Sequence, residues 1–110
     1  MGFGARTSGG AARVVVALDG ECDLAVREEL TAALLAAVAN ARVVIVDLAA
    51  VTFIDSTGVH GLVTAHHAAL AAGGRLHVRN AAGPVATVLD LTGVGGLLAE
   101  PGAEDGGSGV

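Results

Sequence analysis

Aromatic residues are nearly missing from this chain. They make up 2% of it, with no tryptophan and no tyrosine, so the core must be aliphatic and no rings are at hand for stacking bases. Basic residues are outnumbered. The net charge is -5, whereas a nucleic-acid-binding domain wants a basic face. Charged residues of either sign reach only 15%, too sparse for a basic helix lying on a membrane surface. A single cysteine, Cys22, cannot close an internal disulfide and fits a reducing cytoplasm. No apolar run approaches the roughly 20 residues that span a bilayer. The N-terminal stretch MGFGARTSGG lacks the apolar segment of a signal peptide, and Arg6 stands where an N-myristoylated chain carries Ser or Thr. The expectation is a soluble, cytoplasmic protein with no direct contact to nucleic acid or membrane.

What is present is a small aliphatic domain. The chain has 110 residues, enough for one core but not two. Hydrophobic residues make up 53%, much of it alanine, and there are 17 glycines. That composition is globular rather than disordered and points to close backbone packing.

Hydrophobic periodicity orders the chain. Ser8-Gly9-Gly10 is a turn signal that lets Gly2 to Arg6 pair as a short edge strand. Arg13 to Leu18 reads as a strand, because three consecutive β-branched residues disfavour a helix, and Asp19-Gly20 reads as its end. A helix is expected from Leu24 to Asn40, with Asp23 as N-cap and Glu28 and Glu29 near its positive end. Val26, Leu30, Ala33, Leu34 and Ala37 form its apolar stripe. Val43 to Leu48 is apolar at successive positions, the mark of a parallel strand covered on both faces. A second apolar piece, Val51 to Ile54, leads into Asp55-Ser56-Thr57-Gly58. A second helix then runs from Thr57 to Ala72 and is ended by Gly73-Gly74. In Arg75 to Arg79, a strand, Leu76 and Val78 share the inward face, while Arg75, His77 and Arg79 share a partly exposed one. Pro84 suits the first position of a third helix through Leu91, capped by Gly93. Val94 to Ala99 is assigned a last short strand or turn. The division expected is a domain over residues 1–100 and a flexible tail over residues 101–110.

This alternation argues for an α/β fold: a single domain with a mixed, mostly parallel β-sheet packed against about three to four helices. The quartet Asp55-Ser56-Thr57-Gly58 sits where strand turns to helix. These residue types are the usual capping residues. The same junction puts a hydroxyl at the positive end of a helix, a place to hold or receive a phosphate. Both readings stand on the residues alone.

A resemblance favours the second. Phe53-Ile54-Asp55-Ser56-Thr57-Gly58-Val59 resembles the phosphorylation motif of the STAS family, the bacterial anti-sigma factor antagonists. Gly20-Glu21-Cys22-Asp23 resembles the Gly-Glu-apolar-Asp turn of that family, and Val43 to Leu48 its central strand. Ala72-Gly73-Gly74 precedes a strand as it does there, and Leu89-Asp90-Leu91-Thr92-Gly93-Val94 resembles the end of its C-terminal helix. The resemblance runs from Arg13 to Leu98, five motifs in register. It implies a non-enzymatic module that binds an anti-sigma factor serine kinase and so releases a sigma factor. The kinase phosphorylates the first hydroxyl of the motif, here Ser56, with Thr57 as second choice, and a phosphatase restores it. The implied partner surface comprises Glu21, Asp23, Asp55, Ser56, Thr57, Gly58, His60 and Thr64, on a protein that is a monomer when free. The alternative keeps the fold and drops the switch: a STAS scaffold or interaction subunit of a sensory or transport complex, held to a separate membrane partner chain.

Other chemistries fit poorly. His60 and His67 share a helix face but lie roughly 10 Å apart along it, and His66 and His67 diverge by about 100°. No pair has the i, i+4 spacing of helical zinc ligands, and His77 is on a strand, so no metal and no cofactor is expected. A serine hydrolase elbow would want Gly-x-Ser-x-Gly, but Ile54 stands where the first glycine belongs. Cys22 reads as a small buried hydrophobe rather than a reactive thiol.

Overall fold

The computed structural model describes residues 2–99; the tail expected over residues 101–110 lies outside them. Four strands form one sheet in the order β1-β2-β3-β4: β1 Phe3–Gly9, β2 Arg13–Cys22, β3 Val43–Ile54 and β4 Arg75–Arg79. β1 pairs antiparallel with β2, and the other two pairings are parallel. The helices are α1 Arg27–Asn40, α2 Ser56–Ala71, α3 Gly83–Leu91 and the single turn α4 Gly95–Leu98. The fold is thus the expected α/β domain with a mixed sheet.

One parity of the sheet builds the core. Val14, Val16 and Leu18 of β2, Val44, Val46 and Leu48 of β3, and Leu76 and Val78 of β4 are all buried in a single cluster. It is completed by Leu30, Leu34 and Ala37 of α1, Val59, Leu62, Ala65 and Ala69 of α2, and Val85 and Leu89 of α3. Each fully buried aliphatic side chain is worth about 1.5–3 kcal/mol of transfer free energy. The helices therefore lie on one face of the sheet. Among the described residues none covers the other face, where Val15, Ala17 and Val43 are only half-buried.

Several local expectations need correction. β2 does not stop at Asp19-Gly20 but continues to Cys22. Register shifts against β3 fall on both sides of Asp19 and Gly20, and Gly20 has φ +88°. A β-bulge absorbs the break signal, and glycine is needed there because a Cβ would run into the carbonyl oxygen of Gly2. Likewise the two apolar pieces of β3 are one strand, joined across Ala49-Ala50. Asp23 does cap, accepting from the Ala25 N–H at 3.1 Å, but what it caps is a 3₁₀ turn, Leu24–Val26, and α1 proper begins at Arg27. The stretch after Val94 is helical, with only Ala99 bridging in parallel to Val78. On β4 the parity was right but the exposure was not: His77 is buried. Among the described residues, helices cover only one face of Val43 to Leu48. Its outward residue Ile45 is 1% exposed yet stands apart from the core cluster.

Candidate functional site

The C-terminal ends of β2 and β3 lie side by side, with Glu21 opposite Phe53 and Cys22 opposite Ile54. This pairing brings together two stretches more than thirty residues apart in sequence, the turn Glu21-Cys22-Asp23 and the junction Asp55-Ser56-Thr57-Gly58. The Asp55 N–H donates to the Cys22 carbonyl at 3.2 Å, fastening one to the other. α2 starts one residue earlier than the sequence suggests. Asp55 is the N-cap: its Oδ1 accepts from the Gly58 N–H at 3.1 Å, and its carbonyl accepts the first helical bond from Val59 at 3.0 Å.

Ser56 is therefore the first residue of the helix, and it is exposed, whereas Thr57 is half-buried. The backbone N–H groups of Ser56 and Thr57 precede the first intrahelical bond and add to the positive end of the helix dipole. Gly58 is where the junction packs most tightly. A Cβ there would lie 2.5 Å from the Cys22 carbonyl oxygen and 2.7 Å from Ile54 Cγ1, so its role is close approach rather than an exposed contact. One turn and two turns on from Ser56, His60 and Thr64 are exposed. The three form a ridge at i, i+4 and i+8. Glu21 is exposed and Asp23 half-buried beside it.

The electrostatics are acidic. The Cys22 thiol is pushed up to about 11, first by burial and then by the charges of Asp23, Asp55 and Asp19. At neutral pH it is a protonated, 1% exposed side chain packed in the core, with no thiolate to act as nucleophile. The histidines are scattered: His60 and His67 are exposed on α2, His66 is buried with Nδ1 3.2 Å from the Leu76 carbonyl, and His77 lies on β4. Among the described residues no group of three His, Cys, Asp or Glu side chains is placed to hold a metal. Cavities of about 290 to 510 Å³ occur elsewhere, and Ser56 lines none of them. The site is an exposed, hydroxyl-bearing surface at the start of α2.

Two apolar side chains at this end were not singled out by sequence. Leu24, directly after Asp23, is 66% exposed, and Phe53, two residues before Asp55, is 45% exposed. Phe53 is one of only two phenylalanines in the chain, and it shares its parity along β3 with the buried Val51, so alternation alone gave no signal.

The chain belongs to the STAS domain family: the model described as Mlab, STAS domain matches residues 5–99. STAS domains of this kind are generally non-enzymatic. Among solved structures, the chain is 25% identical to an anti-sigma factor antagonist from Mycobacterium paratuberculosis, with a TM-score of 0.76 over 99% of this chain and 94% of that one. The anti-sigma factor antagonist SpoIIAA in its unphosphorylated form gives 24% identity and a TM-score of 0.75, covering 97% and 98%. The Bacillus cell fate determinant SpoIIAA in the phosphorylated form gives 22% and 0.69, covering 88% and 89%. No curated protein sequence matches the chain. Among the described residues no helix is long and apolar enough to cross a membrane.

Proposed function

We propose that this protein is an anti-sigma factor antagonist that binds an anti-sigma factor serine kinase and so frees a sigma factor for transcription in the cytoplasm. The observation that carries the reading is the exposed hydroxyl of Ser56 at the first position of a capped helix, beside the Glu21-to-Asp23 turn. Its likeness in fold to antagonists of known structure, in unphosphorylated and phosphorylated forms, supports it. Phosphorylation of Ser56 switches binding off and a phosphatase restores it. Thr57 is the second choice as acceptor, because its half-buried side chain gives a kinase less access.

The off-switch works by repulsion at the contact. A phosphate adds about 1.5 to 2 negative charges at neutral pH to a surface that already holds Glu21, Asp23 and Asp55. The domain has no need to change shape, since Asp55 Oδ1 already holds the Gly58 N–H and an outward phosphate at Ser56 displaces nothing. A partner docked over Ser56 meets a dianion and loses hydrogen bonds, a cost of several kcal/mol.

The test is phosphosite mapping by mass spectrometry on protein from its native cells, stressed and unstressed. Stress-dependent phosphate on Ser56 is the expected result. Phosphate on Thr57 moves the site by one residue. An unmodified motif in every condition leaves the non-switching scaffold reading, with Asp55-Ser56-Thr57-Gly58 as a helix cap.

A further inference from the structure

The surface around Ser56 carries large apolar side chains in contact with water. Leu24 is 66% exposed, in a 3₁₀ turn that buries none of its residues. Phe53 is 45% exposed, whereas the other phenylalanine of the chain, Phe3, packs against the core. A single exposed apolar residue is ordinary. Phe53 differs because the backbone is bent to expose it. Gly20 pairs with Val51 but Glu21 pairs with Phe53, so Thr52 is an extra residue in β3, and its hydroxyl donates to the Gly20 carbonyl at 3.3 Å. Without that bulge the strand would turn Phe53 inward, two residues after the buried Val51. Instead Ile54 is buried and Phe53 stays outside, next to the exposed Glu21 on the neighbouring strand about 4.8 Å away.

Both side chains belong to the surface of the switch. Leu24 follows Cys22 by two residues and Phe53 precedes Asp55 by two, and the Asp55 N–H to Cys22 carbonyl bond of 3.2 Å ties these stretches together. The charges around them are of one sign. In residues 19–26 and 48–59 the charged side chains are Asp19, Glu21, Asp23 and Asp55, all acids. Asp23, Asp55 and Asp19 all oppose ionisation of the one Cys22 thiol, so they converge on the same point. Apolar and aromatic side chains at the centre with charge at the rim are the composition of a protein–protein contact.

We propose that Leu24 and Phe53 are the apolar anchors of the contact with the anti-sigma factor kinase, an inference that rests on the function proposed above. The kinase surface they enter is an apolar recess rimmed by lysine or arginine, set against Glu21, Asp23 and Asp55. The charges favour this occupant over others. A second copy meeting this surface with its own would set acid against acid. A nucleic acid or an anionic bilayer would meet the same repulsion. The anchors supply affinity, and the acids supply orientation and a faster encounter.

The test titrates the full chain against each purified serine-kinase anti-sigma factor encoded by its native cells, reading Kd and association rate. Leu24→Ser and Phe53→Ser should each weaken binding about tenfold or more. Leu70→Ser is the control: Leu70 is 49% exposed but lies roughly 21 Å along α2 from Ser56, and its loss should change Kd by less than about twofold. Phe53→Leu, which keeps an apolar side chain, should recover most of the affinity, and urea midpoints show that each variant is folded. Association should slow as salt rises, and Glu21→Gln should slow it further and flatten that dependence. Undiminished binding by both serine variants overturns the anchors and leaves the proposed function standing. Faster association by Glu21→Gln overturns the basic rim. Failure of wild type to bind any of these kinases defeats the proposed function and the anchors with it. Self-association of wild type that Phe53→Ser abolishes assigns the patch to a second copy and also overturns the proposal.

Discussion

Replacing Gly58 by alanine sets two physical effects against each other, and the geometry decides between them. Alanine is the better helix former by about 1 kcal/mol, so in open space the change would stabilise α2. At this position the added methyl lies 2.5 Å from the Cys22 carbonyl oxygen and 2.7 Å from Ile54 Cγ1. The first is backbone, held in place by the Asp55 N–H, so it cannot swing aside as a side-chain tip would. Overpacking costs about 1–3 kcal/mol; two contacts under 3.0 Å, one of them to fixed backbone, put this one in the upper half of that range, and the end of β2 must part from the start of α2 to relieve it. A net loss of about 1–2 kcal/mol is expected, a fall in Tm of very roughly 5–15 °C for a domain this size. Gly61→Ala is the control on the same helix. There the contact is Leu30 Cδ2 at 3.3 Å, the end of a side chain, and the outcome should lie within about 0.5 kcal/mol of wild type. Urea and thermal unfolding followed by far-UV circular dichroism give both values. A Gly58→Ala protein as stable as Gly61→Ala would refute the reasoning and return Gly58 to the role of a surface contact.

Asp55→Ala removes the cap of α2 and should cost about 1 kcal/mol, while Ser56→Ala, exposed and outside that hydrogen bond, should unfold within about 0.5 kcal/mol of wild type; both are read from urea midpoints. Under the proposed function, Ser56→Asp should weaken binding to the kinase in a titration while leaving the unfolding curve unchanged, and undiminished binding would sink the repulsion argument. The buried Cys22 thiol gives a pH signature: its pKa is higher folded than unfolded, so its contribution to stability is complete below the ordinary 9.0 and is lost as pH rises towards about 11. Unfolding midpoints of wild type should fall across that window more steeply than those of Cys22→Ala. Asp47 works in the opposite sense. The Ala49 N–H, and after it the Asn80 amide, holds its carboxyl below the usual 3.8, so it stabilises above that pH and the effect fades as pH falls through the lowered value. Being largely solvated, it should flatten the acid limb only slightly in Asp47→Asn.

The sequence disclosed what depends on local pattern and concealed what depends on neighbours. Val43 to Val46 and Arg13 to Leu18 announce themselves as strands because β-branched runs have few other uses, and the capping residues of α2 are legible from type alone. Asp19-Gly20 misled because the same residues that end a strand also make a bulge, and only the pairing of β1 and β3 on either side of β2 selects the second. His77 was given the right face, but its burial depends on what crowds the middle of that face, which alternation along one strand does not encode. Ser56 was readable as a candidate, yet its place as the first helical residue rather than the cap follows from Asp55 reaching the Gly58 N–H. Leu24 and Phe53 escaped notice because an exposed apolar residue looks, in sequence, like any core residue.

Those details bear on why a hydroxyl here suits a switch. A serine acting as N-cap spends its oxygen on the backbone, and modifying it would break the cap and fray the helix. In this chain Asp55 performs that task, so the Ser56 hydroxyl makes no part of the fold and is exposed. The division of labour between adjacent residues lets one hold the helix start while the other is free to carry charge. The positive end of α2 offsets part of a dianion placed on Ser56, by about 0.3–1 kcal/mol, against the repulsion from Asp55 and Asp23. The two are of similar size at an exposed position, so the folded domain should tolerate the phosphate with little change in stability. The same dianion buried against a partner has no solvent to screen it, and its cost there is several times larger. A modification nearly neutral for folding and costly for association is what the proposed switch requires, and the Asp55-Ser56 order at the head of α2 is compatible with it.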